Sequence, residues 1–219
     1  MGQEINLLRF YPQTKNRAMK RFDVTEEDRT ISRKFGKEYF DGERKHGYGG
    51  FSYHPRFWTE TVKLFKEYYK LQENSQILDI GCGKGFMIKD FLTLLPKARI
   101  EGIDISEYAI EHAHPDVKDY VSIADATKLP YVNNQFDLVI SINTIHNLDR
   151  NGCIKALQEI ERVGKGNSFV MVDGWQNESE RVALESWVLT AKTMMSKSDW
   201  ISLFKEAGYS GDYWFWTVS

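Results

Sequence analysis

Apolar positions along this chain follow two different periods, and the change from one to the other marks out its elements. Between Pro55 and Leu71 the apolar residues Phe57, Trp58, Val62, Leu64, Phe65 and Tyr68 fall on one face of a helix, with Lys and Glu on the other. From Gln76 onward, short apolar runs alternate with helical stretches. The segments are 76–80, 84–95, 99–104, 107–113, 118–123, 136–142, 153–163, 167–173, 178–192, 197–207 and 212–218. Strands separated by helices of about ten residues predict crossover connections and a mostly parallel sheet. Ligands of such sheets bind beyond the carboxyl ends of the strands, which directs the search to Gly81, Asp104, Asp125, Asn143 and Asp173. No internal repeat or low-complexity tract interrupts the pattern.

The first 55 residues read differently. They are polar, charged and aromatic, with eleven Lys or Arg against seven Asp or Glu between Arg9 and Lys45, and they run into Gly47-Tyr48-Gly49-Gly50. Glycine leaves the backbone unrestricted, so this stretch is expected to be a mobile connection or lid. The expected organisation is one compact domain. Residues 1–72 form the N-terminal extension and lid with its amphipathic helix, and residues 73–219 form the core.

Composition narrows the class. With 42% hydrophobic and 27% charged residues the chain can bury a core, and a formal charge of -2 provides no global field to draw in a polyanion. Nucleic acid is therefore not the default partner. Cys82 and Cys153 lack the spacing of a zinc site or redox pair and read as reduced thiols. The first residues lack an apolar signal core, Asn6 stands where a myristoylation signal has Ser or Thr, and no apolar run reaches membrane-spanning length. The expectation is a cytoplasmic, unanchored protein, with monomer and homodimer both open.

The most informative segment is Ile77-Leu78-Asp79-Ile80-Gly81-Cys82-Gly83-Lys84-Gly85-Phe86, a strand that runs into three alternating glycines and then a helix. Small residues let the backbone turn sharply and let a ligand approach it closely, an arrangement suited to a nucleoside. The spacing is not Gly-x-Gly-x-x-Gly, and Lys84 is followed by Gly rather than Ser or Thr, so the dinucleotide and phosphate-loop readings lose support. Asp104 follows Gly85 by nineteen residues at the end of the next strand, where two carboxylate oxygens can accept both hydroxyls of a ribose.

With these residues the sequence resembles the class I S-adenosylmethionine-dependent methyltransferases. Two further segments extend the likeness. Ala124-Asp125-Ala126 is similar to the family's third-strand loop, where an acid and a neighbouring amide hold the adenine edge. Phe136-Asp137-Leu138-Val139-Ile140-Ser141, followed by Asn143-Thr144-Ile145-His146, is similar to its fourth strand and reaction centre. The resemblance covers about residues 75 to 208. It implies an α/β Rossmann-like, doubly wound, mostly parallel sheet of six or seven strands with helices on both faces, plus the helical N-terminal extension. It also implies S-adenosylmethionine as cofactor, S-adenosylhomocysteine as product, and no metal. Two departures stand out. Only one clear strand, Tyr213 to Val218, follows the last helix, where the family commonly has two antiparallel strands. Asn143-Thr144 is not the Asn-Pro-Pro-Tyr type of motif of many base methylases.

The resemblance assigns cofactor contacts to Asp79, Gly81, Cys82, Gly83, Gly85, Asp104, Ile105, Asp125, Ala126 and Asn143. Cys82 reads as a small apolar filler in this loop, not a nucleophile. His146, with a side chain suited to proton transfer near neutrality, is the candidate base, and a histidine that merely satisfies loop backbone is the competing reading. Asn143 stands beside it. Tyr48 is the lid candidate; His46 and Tyr53 flank the same lid and are assigned gating or structural roles. Trp175, Trp187 and the aromatics from Tyr213 to Trp216 read as core. The expected reaction is methyl transfer to an oxygen or nitrogen of a small-molecule acceptor, a sugar or an anionic intermediate. The competing readings are a protein or RNA methyltransferase, a non-catalytic cofactor-binding scaffold and a redox enzyme.

Overall fold

The computed structural model describes residues 2–12 and 24–217. Seven strands form one sheet: β1 (Gln76–Ile80), β2 (Arg99–Asp104), β3 (Val121–Ile123), β4 (Leu138–Ile142), β5 (Ser168–Trp175), β6 (Met195–Ser196) and β7 (Asp212–Trp216). The helices are α1 (Glu26–Ser32), α2 (Lys37–Phe40), α3 (Pro55–Tyr68), α4 (Phe86–Leu94), α5 (Glu107–Glu111), α6 (Arg150–Val163), α7 (Glu178–Trp187) and α8 (Lys197–Ala207). The strand order is β3-β2-β1-β4-β5-β6, with β7 also paired to β5, and every pairing is parallel. The order reverses between β1 and β4, the crevice where open α/β sheets bind ligands.

Side-chain alternation explains why helices cover both faces. On β4, Val139 points into a layer with Cys153, Leu157 and Ile160 of α6 and Trp200 and Phe204 of α8. Its neighbours Leu138 and Ile140 point into the opposite layer with Val62 and Phe65 of α3 and Phe91 of α4. β5 repeats this, with Val170 and Val172 on one side and Phe169 and Met171 on the other. Phe65, Phe91, Phe169 and Phe204 are fully buried.

The expected mostly parallel sheet of six or seven strands is present, with two details resolved and one element boundary corrected. The two-residue β6 is too short to show any periodicity, so the sheet has the higher of the two expected strand counts. The chain returns from β6 through α8, a helical crossover, and therefore enters β7 parallel to β5 instead of forming an antiparallel pair. The strand expected from Lys118 begins only at Val121, because Pro115 opens a 3-10 turn over Pro115–Tyr120 whose Val117 is buried. Val218, expected at the end of β7, lies outside the described residues.

The start of the extension is built into the core. Tyr213 accepts a bond from the Ile5 amide at 2.9 Å and donates its own to the Gln3 carbonyl at 3.1 Å, while Leu7 and Leu8 are buried in the α3–α4 layer. Much of the expected basic excess comes from Lys15, Arg17, Lys20 and Arg21, which lie outside the described residues. Among those described, no helix is long and apolar enough to cross a membrane.

Candidate functional site

The carboxyl ends of β1 and β2 bring the predicted loop and acid together. Gly81 and Cys82 both donate their amides to the Ile103 carbonyl, at 2.7 and 3.0 Å, which pulls the glycine turn over the end of β2. Gly81, Gly83 and Gly85 all have left-handed φ angles, of 81°, 55° and 75°. A Cβ on Gly81 would stand 2.0 Å from Thr144 Oγ1, so this position needs glycine for space as well as for conformation. Cys82 is buried as filler against Gly102, and burial pushes its thiol up, away from nucleophilic use.

Asp104 is held by the turn it serves. One carboxylate oxygen accepts the Gly83 amide at 2.8 Å and the other the Ser106 amide at 2.9 Å. Each oxygen keeps a lone pair, which leaves the side chain able to accept further hydroxyls. Burial raises its pKa, and these amides pull the other way. The next residue, Ile105, is 58% exposed, an apolar side chain presented beside that acid. Asp79 is 4% exposed, and no hydrogen bond holds its carboxylate among the described residues. Burial, with the charge of Asp104 added, lifts it to about 8. A largely buried carboxylate without a hydrogen-bond partner beside a tight glycine turn fits the ammonium end of an amino-acid-bearing nucleoside, and Asp104 fits its ribose. Asp125 is exposed and closes its own turn, accepting from the Thr127 amide and hydroxyl at 2.8 Å, with Ala126 half-buried beside it.

At the end of β4, Asn143 takes a left-handed φ of 53° and is exposed, its amide donating to the Met171 carbonyl at 2.9 Å. His146 follows in a 3-10 turn, Ile145–Asn147, and is 3% exposed. Its Nδ1 accepts the Asp173 amide at 3.2 Å and stands 3.6 Å from the Asp173 carboxylate. That bond assigns the proton of the neutral ring to Nε2. A neutral His146 in this tautomer presents a donor at Nε2, and accepting a proton there requires the opposite tautomer. Burial raises the Asp173 pKa, and His146 offsets part of this.

Residues 24–54 pack against the glycine turn. Lys84 is buried and donates to the Asp41 carboxylate at 2.6 Å and to the Phe51 carbonyl at 3.0 Å. Asp41 also accepts the Tyr108 hydroxyl at 2.8 Å and the Phe51 amide at 2.9 Å. Burial works against its ionisation, but these partners outweigh it and hold Asp41 at about 2. A Cβ placed on Gly83 would stand 3.3 Å from the Phe51 ring and 3.6 Å from that of Phe40, so both rings sit close over the turn, and the Ser106 hydroxyl reaches the Phe35 carbonyl at 2.5 Å. Tyr48 stacks on Phe51 with ring centroids 4.2 Å apart and is 43% exposed. Tyr53 donates to Asp90 at 2.6 Å, and burial followed by that carboxylate raises its phenol to about 12.

On the far side, α1 reaches the β5–β6 connection through Arg29, which donates to the Glu185 carbonyl, and Arg33, which donates to that of Ala191. His46 is buried with Nε2 3.1 Å from Asp28, whose other oxygen accepts from Thr25 in a capping box. Of the predicted residues, the three glycines, Cys82 and Asp104 are joined by hydrogen bonds directly or through Ile103, Asp79 faces the charge of Asp104 at the same strand end, and Tyr48 lies over the turn. Asp125 and His146 stand at neighbouring strand ends. Sequence reasoning missed Asp41, Lys84, Ser106 and Tyr108. Lys84 inside the glycine turn was the available signal. Among the described residues no three of His, Cys, Asp and Glu gather as a metal site would require.

Residues 77–167 match a family model described as a methyltransferase domain. A tRNA (carboxymethyluridine(34)-5-O)-methyltransferase from Arabidopsis thaliana is 38% identical over 115 residues, covering 52% of this chain and 27% of the relative. A malonyl-[acyl-carrier protein] O-methyltransferase from Legionella pneumophila is 35% identical over 115 residues, covering 50% and 39%. The matched region thus spans well under half of these relatives. A crystal structure of a putative methyltransferase from Bacillus halodurans shares the fold, with a TM-score of 0.52 at 21% identity over 67% of each chain. The glycine turn, the acid closing β2 and the parallel sheet that holds them agree with these matches, and residues 77–167 form a methyltransferase domain of the class I S-adenosylmethionine-dependent kind.

Proposed function

We propose that this chain transfers the methyl group of S-adenosylmethionine to an oxygen of a small molecule enclosed between the sheet's carboxyl edge and the roof formed by residues 24–54. The observation that carries this reading is the tie between roof and turn: buried Lys84, inside the glycine turn, bonds to Asp41 and Phe51 of the roof. A roof bonded to the cofactor turn favours an acceptor small enough to be enclosed. The two relatives named above are O-methyltransferases by name, which supports oxygen over nitrogen.

When bound, S-adenosylmethionine supplies a methyl group already activated by its sulfonium. The protein's work is then to position the acceptor and to keep water out. In this reading Asp79 meets the amino end, Gly81, Cys82, Gly83 and Gly85 shape the turn, and Asp104 takes the ribose. Ile105, Asp125 and Ala126 flank the adenine. Asn143 and His146 line the reacting end, and Tyr48 covers it. The two buried free thiols fit the cytoplasmic setting we assign to the protein.

The test is calorimetric binding of S-adenosylhomocysteine, followed by transfer of labelled methyl to a panel of small hydroxyl and carboxyl compounds. Absence of cofactor binding refutes the reading. The tRNA relative favours one alternative, an RNA acceptor met by the basic segment. Labelling of bulk tRNA that falls steeply with salt would establish it instead.

A further inference from the structure

The roof carries a positive charge whose nearest carboxylate is loosely placed. Arg33 caps the end of α1, and its side chain is 31% exposed. The nearest carboxylate, Glu26, is 4.0 Å away on a side chain that is 82% exposed, so solvent screens the pair. Its neighbour Arg29 has Glu26 closer, at 3.3 Å, and a full bond to the Glu185 carbonyl. Arg33 bonds one Nη to the Ala191 carbonyl at 3.3 Å, and its Nε is buried with no partner among the described residues. A buried donor without an acceptor is costly, more so on a charged group. A strap holding the roof to the core would use the Ala191 bond and would not need the buried Nε to be left empty.

The position of this cation connects it to the reacting end of the sheet. Ala191 is followed by Lys192 and Thr193, whose amides both donate to the His146 carbonyl at 3.0 Å. Arg33 is therefore anchored to the segment whose next two amides bond to the His146 turn. The edge of a guanidinium that carries Nε and an adjacent Nη matches the two oxygens of a carboxylate.

We propose that Arg33 binds a carboxylate beneath the roof and that this carboxylate is the acceptor's reacting group. The inference rests on the methyltransferase reading and specifies its substrate class. A carboxylate oxygen bonds to the methyl carbon as the carbon–sulfur bond opens and leaves its electron pair on sulfur. The negative and positive charges cancel, the product is a methyl ester, and no proton is released. No base is needed, which agrees with a His146 whose Nδ1 already accepts the Asp173 amide.

The experiment uses the full chain saturated with S-adenosylhomocysteine and titrated calorimetrically with butyrate, and with butyramide as its neutral counterpart. Butyrate is expected to bind the wild-type complex. Arg33→Ala weakens it by about tenfold or more, and Arg33→Lys, which keeps the charge without the fork, by less. Butyramide is indifferent to both changes, and S-adenosylhomocysteine affinity stays within about twofold. The Lys variant keeps the test valid should the Ala variant fold poorly. The proposal is overturned if the wild-type complex does not bind butyrate, or binds it equally with and without Arg33. It is also overturned if Arg33→Ala loses S-adenosylhomocysteine while keeping 5′-methylthioadenosine, since Arg33 would then hold the cofactor's own carboxylate. Failure of the wild type to bind S-adenosylhomocysteine at all refutes the methyltransferase reading separately.

Discussion

Replacing Asp79 by Asn should make the ligand-free protein more stable while abolishing the cofactor contact proposed for this carboxylate. In the unfolded chain this carboxyl loses its proton near its ordinary value of 3.8; in the fold, burial and the nearby Asp104 hold the proton to about 8. Between those values folding takes up a proton, so stability falls by about 1.4 kcal/mol for each pH unit that the pH rises. At pH 7 the accumulated penalty is about 4 kcal/mol, a large fraction of the 5–15 kcal/mol typical of a domain. Asn has the size of the protonated acid and cannot ionise. Urea unfolding of ligand-free protein should therefore find Asp79→Asn more stable by about 4 kcal/mol at pH 7, with the gap closing to near zero by about pH 4. Other buried acids, such as Asp173, are present in both proteins and largely cancel in the difference. S-adenosylhomocysteine should raise the melting temperature of the wild type and leave that of the variant unmoved. A gap that does not change with pH, or a variant less stable at neutrality, would refute the electrostatic account.

Asp104→Asn is expected to weaken S-adenosylhomocysteine by about tenfold or more, because an amide accepts at only one of its two heavy atoms; unchanged affinity in calorimetry would remove the ribose assignment. Gly81→Ala forces a Cβ against Thr144 and a strained φ of 81°, and the φ strain alone costs about 1–3 kcal/mol. Thr144→Ala in the same chain relieves only the contact, so urea midpoints of single and double variants should separate the two causes. Lys84→Met removes the roof's tie, and amide exchange over residues 41–51 should accelerate. Asp41 sits at about 2, so its share of the tie is complete above pH 4 and is lost only as the pH falls through that value. His146→Gln should lower turnover evenly across pH, and loss of a titrating limb near neutrality would instead mark His146 as a base.

The sheet was legible because β1, β4 and β5 are mostly apolar runs buried on both faces and β2, although it carries Arg99 and Glu101, buries Ile100 and Ile103, and each is followed by or ends in a residue that breaks the pattern. Gly81 and Asp104 were legible for a related reason: a turn that needs left-handed backbone calls for glycine, and a strand end that carries a carboxylate in an otherwise apolar run is conspicuous. β6 was hidden because two residues carry no period. The roof was read as polar and glycine-rich, but its contacts were hidden because they join distant positions by single bonds. Nothing in the spacing of Asp41 and Lys84, 43 residues apart, announces that they meet at 2.6 Å. The orientation of His146 was hidden for the same reason, since its partner is a backbone amide on β5, and backbone donors leave no mark in a sequence.

The unpaired Asp79 raises the question of what offsets its cost in the empty protein. The depressed pKa of Asp41 contributes in the favourable direction, yet its side chain is 27% exposed and water screens part of the gain. The exposed pairs elsewhere, such as Arg150 with Glu206, are each half in solvent and contribute little. The compensation must come from the two apolar layers, where fully buried side chains such as Phe65, Phe91, Phe169 and Phe204 each contribute about 1.5–3 kcal/mol relative to exposure. Two such residues balance the Asp79 penalty at neutral pH. The acid can therefore be kept largely buried and without a hydrogen bond because α3 and α4 pack the sheet behind it.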